Sequence, residues 1–385
     1  MFEIEEVRGQ RARLRVVGVG GAGGNAINSM IASNLQGVDF IAINTDLQAL
    51  DMSLAPVKVQ IGSNFTRGLG AGSDPKIGRE AALEDKTAIM ETLEDSDMVF
   101  IAAGLGGGTG TGAGPVVATI AQELGILTVA VVTKPFNYEG RIRTMNAEEG
   151  LKELKKYVDT LIVIPNDKIG LVVEKSTPLL KAFALANEIL KRAVQGISDI
   201  ILVPGLINVD FADVRTIIEN KGRGVMGFGM GKGEGAAMEA AKRAVSNPLL
   251  EESSIDGAQA ILINITGGLM LPLDDIQEAA SFIYDFAHEE VNLIFGAVID
   301  PDLDDEVKIT VIATGFSEEK EKVELPQIRK WSSLRGPVNL KGSDRILAKT
   351  LGSGYVEKVV PTDFVSYEDP MDVPTFLRKA YQKEI

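Results

Sequence analysis

The chain has 385 residues, with 39 Lys and Arg against 54 Asp and Glu, a formal net charge of −15. It holds no cysteine and one histidine, His288, which excludes disulfide frameworks, thiolate zinc sites, cysteine nucleophiles and histidine-based metal clusters. The acidic balance argues against general nucleic-acid binding and unaided adhesion to anionic membranes, and no apolar run approaches the ~20 residues of a membrane span.

At ~150 residues per domain the length suits two or three domains. The acidic start, Met1-Phe2-Glu3-Ile4-Glu5-Glu6, lacks the apolar region of a signal peptide, so a cytoplasmic protein with no direct membrane insertion is expected. After an extension over residues 1–11, Leu14 to Val19 reads as a buried strand, a Gly-rich turn follows, and Asn25 to Ser33 reads as a helix. Phe40 to Ile43, Met98 to Ala103, Leu127 to Thr133 and Thr160 to Ile164 read as further strands. Continuous apolar strands separated by helices predict a parallel sheet covered on both faces, here an α/β, Rossmann-like domain over residues 12–177.

Pro178 to Ile200 has helical spacing, with apolar residues around most of its circumference. That pattern predicts a long core helix, residues 178–203, buried between two layers, with Pro178 in its first turn and Pro204-Gly205 ending it. A smaller α/β domain is expected over 204–316. Its helices are Phe211 to Glu219, Gly235 to Val245 and Asp274 to Ala287; its strands are Ala260 to Thr266, Leu293 to Ile299 and Val307 to Thr314. Gly222 to Gly231, with glycine at nearly every second position, reads as a flexible or tightly turned connection. Residues 317–366 show no periodicity and read as a disordered linker. In the tail, residues 367–385, Asp372 and Pro374 suit a helix start, and Val373, Phe376, Leu377, Ala380 and Tyr381 share one face. His288 reads as an ordinary surface or interface residue, and Trp331, in the linker, as an incidental exposed aromatic with a partner anchor as the alternative.

Two glycine loops carry the chemistry. Gly18-Val19-Gly20-Gly21-Ala22-Gly23-Gly24-Asn25 follows a strand and opens a helix, and Asp46 ends the next strand. Alone, this favours a nicotinamide-binding Rossmann domain over a purely structural tight turn. The second loop, Gly104 to Pro115, also joins a strand to a helix and adds two threonine hydroxyls. Glycine lets backbone N–H groups approach an anion, and a helix N-terminus adds favourable dipole charge. One cradle serves a dinucleotide; two on one sheet edge suit a longer polyphosphate. No Walker sequence is present, and no proton-transfer constellation supports an oxidoreductase.

Gly106-Gly107-Gly108-Thr109-Gly110-Thr111-Gly112 resembles the signature of the tubulin/FtsZ superfamily. From about residue 12 to 316, and again in the tail, the chain resembles the bacterial FtsZ family of cell-division GTPases. The resemblance implies GTP or GDP in the two-loop cleft, lined by Gly20, Gly21, Ala22, Gly23, Gly24 and Asn25, with Asn44 and Asp46 nearby. Gly104, Gly107, Gly108, Thr109, Gly110 and Thr111 would wrap the phosphates. By the same resemblance Thr133 and Pro135 would belong to a sugar-side loop, Glu139 and Arg143 would contact the nucleoside, Asn166 and Asn187 would read the guanine edge, and Phe183 would join the nucleotide-binding set. Many relatives carry Asp at the Asn187 position; Asn retains a carbonyl acceptor. Magnesium is expected on the phosphates, because no dedicated carboxylate cage is visible.

Asp210 and Asp213 stand i, i+3 at a helix start, where Asp is favoured by the dipole alone. The helix before them spans about 39 Å at ~1.5 Å per residue. If Asn187 touches the base, Asp210 cannot reach a phosphate of its own chain. The family pattern implies that Asp210 and Asp213, supported by Asn208, complete the site of the next subunit in a head-to-tail filament. It also implies a cytokinetic ring at mid-cell on the inner face of the cytoplasmic membrane. The tail would dock Asp372, Pro374, Phe376 and Leu377 into division proteins such as an FtsA-like membrane tether and assembly regulators. The rival reading is a nucleotide-regulated, tubulin-like scaffold with little turnover.

Overall fold

The computed structural model describes residues 12–172, 177–203, 205–207, 209–219, 222–246, 255, 257–287 and 291–316. The chain divides into one unit over Met1–Lys320 and a second over Glu321–Ile385. The linker, the tail, Asn208, His288 and Trp331 lie outside the described residues.

The first lobe opens with β1 (Leu14–Val19), α1 (Gly20–Ala32), β2 (Val38–Asn44), α2 (Leu47–Asp51), β3 (Val57–Gln60) and α3 (Ser63–Thr66). Then come α4 (Pro75–Glu84), α5 (Lys86–Leu93), β4 (Met98–Gly104), α6 (Thr109–Glu123) and β5 (Leu127–Lys134). It closes with α7 (Arg141–Leu154), β6 (Thr160–Pro165) and α8 (Asn166–Val172). The strands pair in parallel in the order β3-β2-β1-β4-β5-β6. Alternating residues of these strands feed two separate cores. Val16, Phe40, Phe100 and Val129 pack on one face, with Ile27 and Met30 of α1; Val17, Ile41, Ile101 and Ala130 pack on the other, with helices α4 to α7. Burial on both faces is why the strands read as unbroken apolar runs.

The long helix α9 (Leu179–Leu202) leads to the second lobe: α10 (Phe211–Ile218), β7 (Gly222–Lys232), α11 (Ala236–Val245), β8 (Ala260–Gly267), α12 (Leu273–Asp285), β9 (Asn292–Ile299) and β10 (Glu306–Thr314). Its strands continue the sheet as β7-β10-β8-β9, with β10 antiparallel to both neighbours and β7 parallel to β6. Two expectations need correction. Gly222 to Gly231 is a strand, not a turned connection, because its glycines admit the alanine face of α11. And α9 is buried only from its middle onward, through Ile189, Leu190, Val194 and Ile197; near its start Leu180 is 83% exposed and Phe183 40%.

Where α9 meets the second-lobe sheet, a cavity of ≈ 450 Å³ is lined by Gln195, Asp199, Asn264, Asp300, Lys308 and Thr310, among others. Burial pushes the Asp199 carboxyl up to about 6; a side-chain hydrogen bond with Gln195 opposes the rise, the Asp300 charge adds to it and Lys308 opposes it. A carboxyl raised in the folded state favours folding below its unfolded value near 3.8, and that contribution is lost as pH rises through 6. At pH 7.5 the buried charge therefore costs up to about 3 kcal/mol, from ~1.4 kcal/mol per unit. Asp199→Asn is expected to melt higher than the parent at pH 7.5, and the advantage to shrink as pH falls below 6. A pH-independent difference in melting temperature would remove the buried charge as the cause.

Candidate functional site

Strand order 3-2-1-4-5-6 reverses direction between β1 and β4, and in open α/β sheets ligands bind at such a reversal, beyond the carboxyl ends of the strands. The two glycine loops leave β1 and β4 at that point. Helix α1 begins at Gly20, five residues before the expected start, and α6 begins at Thr109. Neither helix has a side-chain N-cap or an acidic residue in its first turn, so the unpaired N–H groups of both are free to meet an anion.

The glycines divide by what surrounds them. A Cβ on Gly18 would lie 2.6 Å from the Gly23 carbonyl oxygen, and one on Gly23 would lie 2.3 Å from that of Ala102. A Cβ on Gly110 would lie 2.5 Å from the Gly104 oxygen. These glycines let helix and strand backbones touch. Gly20 has φ +73° and sits against Gly110, so the two loops meet there. Gly104 packs on Ala22, near Thr133 Oγ1. Gly21, Gly24 and Gly107, by contrast, have nothing within 4 Å of a built Cβ: they line open space, with Ala22 and Asn25 exposed beside them. Gly108 faces the other way, toward Ala71 and the backbone of Asp74. Thr111 Oγ1 accepts a 2.8 Å hydrogen bond from the Gly106 N–H, which fixes the turn.

Around this cleft, buried Asn44 accepts from the Asp46 N–H at 3.2 Å, and Asp46 caps α2 by accepting from the Ala49 N–H. Pro135 lies against Gly106. Glu139 accepts from the Phe136 N–H at 2.9 Å and pairs with Arg143 at 2.6 Å. Phe136 stacks on Tyr138 and meets Phe183 edge-on at 5.5 Å, and Asn187 lies one turn beyond Phe183 on α9. Asn166 opens α8 at 6% exposure, and its Oδ1 is a buried acceptor with no partner. Such an orphan normally costs free energy unless a ligand donor meets it, so the polar edge of a bound base fits here. Sequence reasoning passed over Thr45, fully buried and bonded to Thr109, and the loop through Ala71 and Asp74 that backs Gly108. The recurrence of Gly62, Gly68, Gly70 and Gly72 before Asp74-Pro75 was the available signal.

The structure does not bring Asp210 and Asp213 to this cleft. From Asn187 to the end of α9 is about 22 Å along the helix axis, and both aspartates follow that end. Asp210 caps α10, its Oδ1 accepting from the Asp213 N–H at 2.8 Å. Both residues are exposed, and among the described residues the Asp213 carboxylate has no ion pair. No group of three or more His, Asp or Glu able to hold a metal occurs among the described residues.

Comparison with known proteins shows the family and the fold. The Tubulin/FtsZ family GTPase-domain model matches residues 13–174, and the FtsZ family C-terminal-domain model matches residues 222–317. An empty FtsZ dimer from M. jannaschii is 45% identical, with a TM-score of 0.76, over 80% of this chain and 89% of that one. A point mutant of FtsZ from the same organism is 46% identical, with a TM-score of 0.76, over 80% and 92%. CetZ2 from Haloferax volcanii, solved as a GTPγS-bound protofilament, shares the fold at 22% identity and a TM-score of 0.68, over 80% and 94%. M. jannaschii is archaeal, so these relatives support the family and not a bacterial source.

Proposed function

The chain belongs to the FtsZ family of tubulin-like GTPases, and from that premise we propose that it is a GTP-dependent, polymerising cytoskeletal protein whose subunits complete one another's active sites. The observation that carries the reading is the separation of Asn187, on the base side of the cleft, from Asp210 and Asp213 by the remaining length of α9, about 22 Å. A cradle at one end and exposed carboxylates at the other make a head-to-tail contact productive, and such contacts propagate into filaments when they do not close. The dimeric state of the M. jannaschii FtsZ supports self-association.

In this reading the N–H groups at the starts of α1 and α6 hold the phosphates of GTP and stabilise the charge that develops on phosphoryl transfer. The aromatic wall of Phe136 and Phe183 bounds the base, and Asn166 and Asn187 read its edge. Magnesium enters as the Mg·GTP substrate, held through phosphate oxygens and water, since the nearby carboxylates Asp46 and Asp74 already cap helices. Asp213 of the neighbouring copy, with Asp210, orients the attacking water and takes up its developing positive charge. We extend the proposal to a cytoplasmic division ring, tethered to the membrane through the tail residues Asp372, Pro374, Phe376 and Leu377 and an FtsA-like partner.

GTP hydrolysis per molecule, measured against protein concentration with magnesium, tests the central claim. The rate is expected to stay near zero below a threshold and to rise above it. A constant rate per molecule would mean that each chain hydrolyses alone. Nucleotide-dependent assembly without phosphate release would favour the scaffold reading.

A further inference from the structure

Thr45, at the end of β2, is 0% exposed. Its Oγ1 lies 2.7 Å from Thr109 Oγ1, at the first residue of α6. The Thr45 carbonyl accepts from Thr66 Oγ1 at 3.3 Å and from the Gly70 N–H at 3.3 Å. One residue thus joins the second glycine loop to the segment that runs on to Ala71 and Asp74 against Gly108.

Each hydroxyl has one proton to give, and either threonine can be the donor in this pair. If Thr109 donates to Thr45, it turns only lone pairs toward the cradle. If Thr45 donates to Thr109, the Thr109 proton is free for an anion. A phosphate in the cradle selects the second arrangement, a polarised chain from Thr45 through Thr109 to the phosphate. We infer that Thr45 is a positioning residue that commits the Thr109 hydroxyl to donate to a nucleotide phosphate. This rests on the reading of the cradle as a guanine-nucleotide site.

The test compares guanosine, GDP and GTP as competitors of a fluorescent guanine nucleotide. Thr45→Val keeps the branched shape and the backbone carbonyl and removes only the hydroxyl. It is expected to weaken binding of phosphate-bearing ligands about tenfold and to leave guanosine within about twofold, while Thr45→Ser restores the parent affinities. On a Thr109→Val background, Thr45→Val is expected to change affinity by less than about twofold, because the two hydroxyls act as a unit. Equal losses for guanosine and GTP, unchanged GTP affinity, or a serine variant as weak as valine would each overturn the role of Thr45. A parent chain that binds neither GTP nor GDP would instead overturn the nucleotide reading on which the inference rests.

Discussion

Asp213→Ala is expected to lower GTP turnover about 100-fold or more while leaving GTP affinity within about twofold. The carboxylate is exposed, pairs with nothing among the described residues and stands beyond the far end of α9 from the cradle. Its removal costs at most the favourable dipole interaction at the start of α10, about 0.3–1 kcal/mol, and touches no nucleotide contact of its own chain. Asp210 is different: its Oδ1 caps α10, so Asp210→Ala combines lost chemistry with about 1 kcal/mol of lost helix stability, and Asp210→Asn is the cleaner probe.

Mixing separates action across an interface from action within one chain. Gly107→Asp places a carboxylate in open space beside the second loop, where nothing lies within 4 Å of the new Cβ, and should repel phosphate. Each variant alone is expected to be inactive. In a random equimolar mixture, about a quarter of the interfaces join a sound cradle to a sound Asp213, and turnover should reappear. A mixture as inactive as its components, under conditions where both assemble, would place Asp213 in a role within its own chain.

The first-lobe strands were legible because burial on both faces leaves continuous apolar runs, and the glycine loops because they break those runs at a sheet edge. The short helices between Leu47 and Leu93 were not read. Helix α3 has four residues and α2 five, fewer than two helical turns, and α4 buries only Gly78, Ala81 and Ala82. Helix α7 was missed for a related reason: Ala147, Gly150, Leu151 and Leu154 are its only buried residues, within an otherwise polar sequence. The start of α1 was placed late because glycine is a poor helix former, yet here it supplies backbone access at the first turn. Of the candidate site, the two loops, Asn44, Asp46, Thr133, Pro135 and Asn166 stand at or just beyond the carboxyl ends of the first-lobe strands, where Phe183 meets Phe136. Thr45 escaped notice because a single threonine beside a strand carries no pattern. Its consequence lies in a partner 64 positions away.

The largest stability loss is expected at Gly229, inside the stretch that read as a turn. Strand neighbours two apart share a face, so Gly227, Gly229 and Gly231 point together at α11, whose Ala236, Ala240 and Ala244 recur every fourth residue and form one stripe. A Cβ on these glycines would lie 2.0, 1.8 and 2.0 Å from the carbonyl oxygens of Ala244, Ala240 and Ala236 respectively. Backbone, not side chain, sets the separation of strand and helix, and a backbone atom cannot turn aside as a rotamer does. Replacing glycine ordinarily gains about 0.4–1 kcal/mol by restricting the unfolded chain. Here the overlap must push α11 outward and open the core of Ala237, Ala241, Ile261 and Ile309 that it seals, so the overpacking cost of about 1–3 kcal/mol prevails. Gly229 is the middle of the three contacts, where the helix cannot relieve the overlap by tilting about one end. Gly229→Ala should therefore lose about 2 kcal/mol in denaturant unfolding, and Gly229→Val more. Gly170→Ala, on α8 with open space at its Cβ, is the matched control and should hold or gain up to about 1 kcal/mol. A Gly229→Ala protein as stable as the parent would mean that α11 stands farther from β7 than backbone contact, and the glycine periodicity would need another cause.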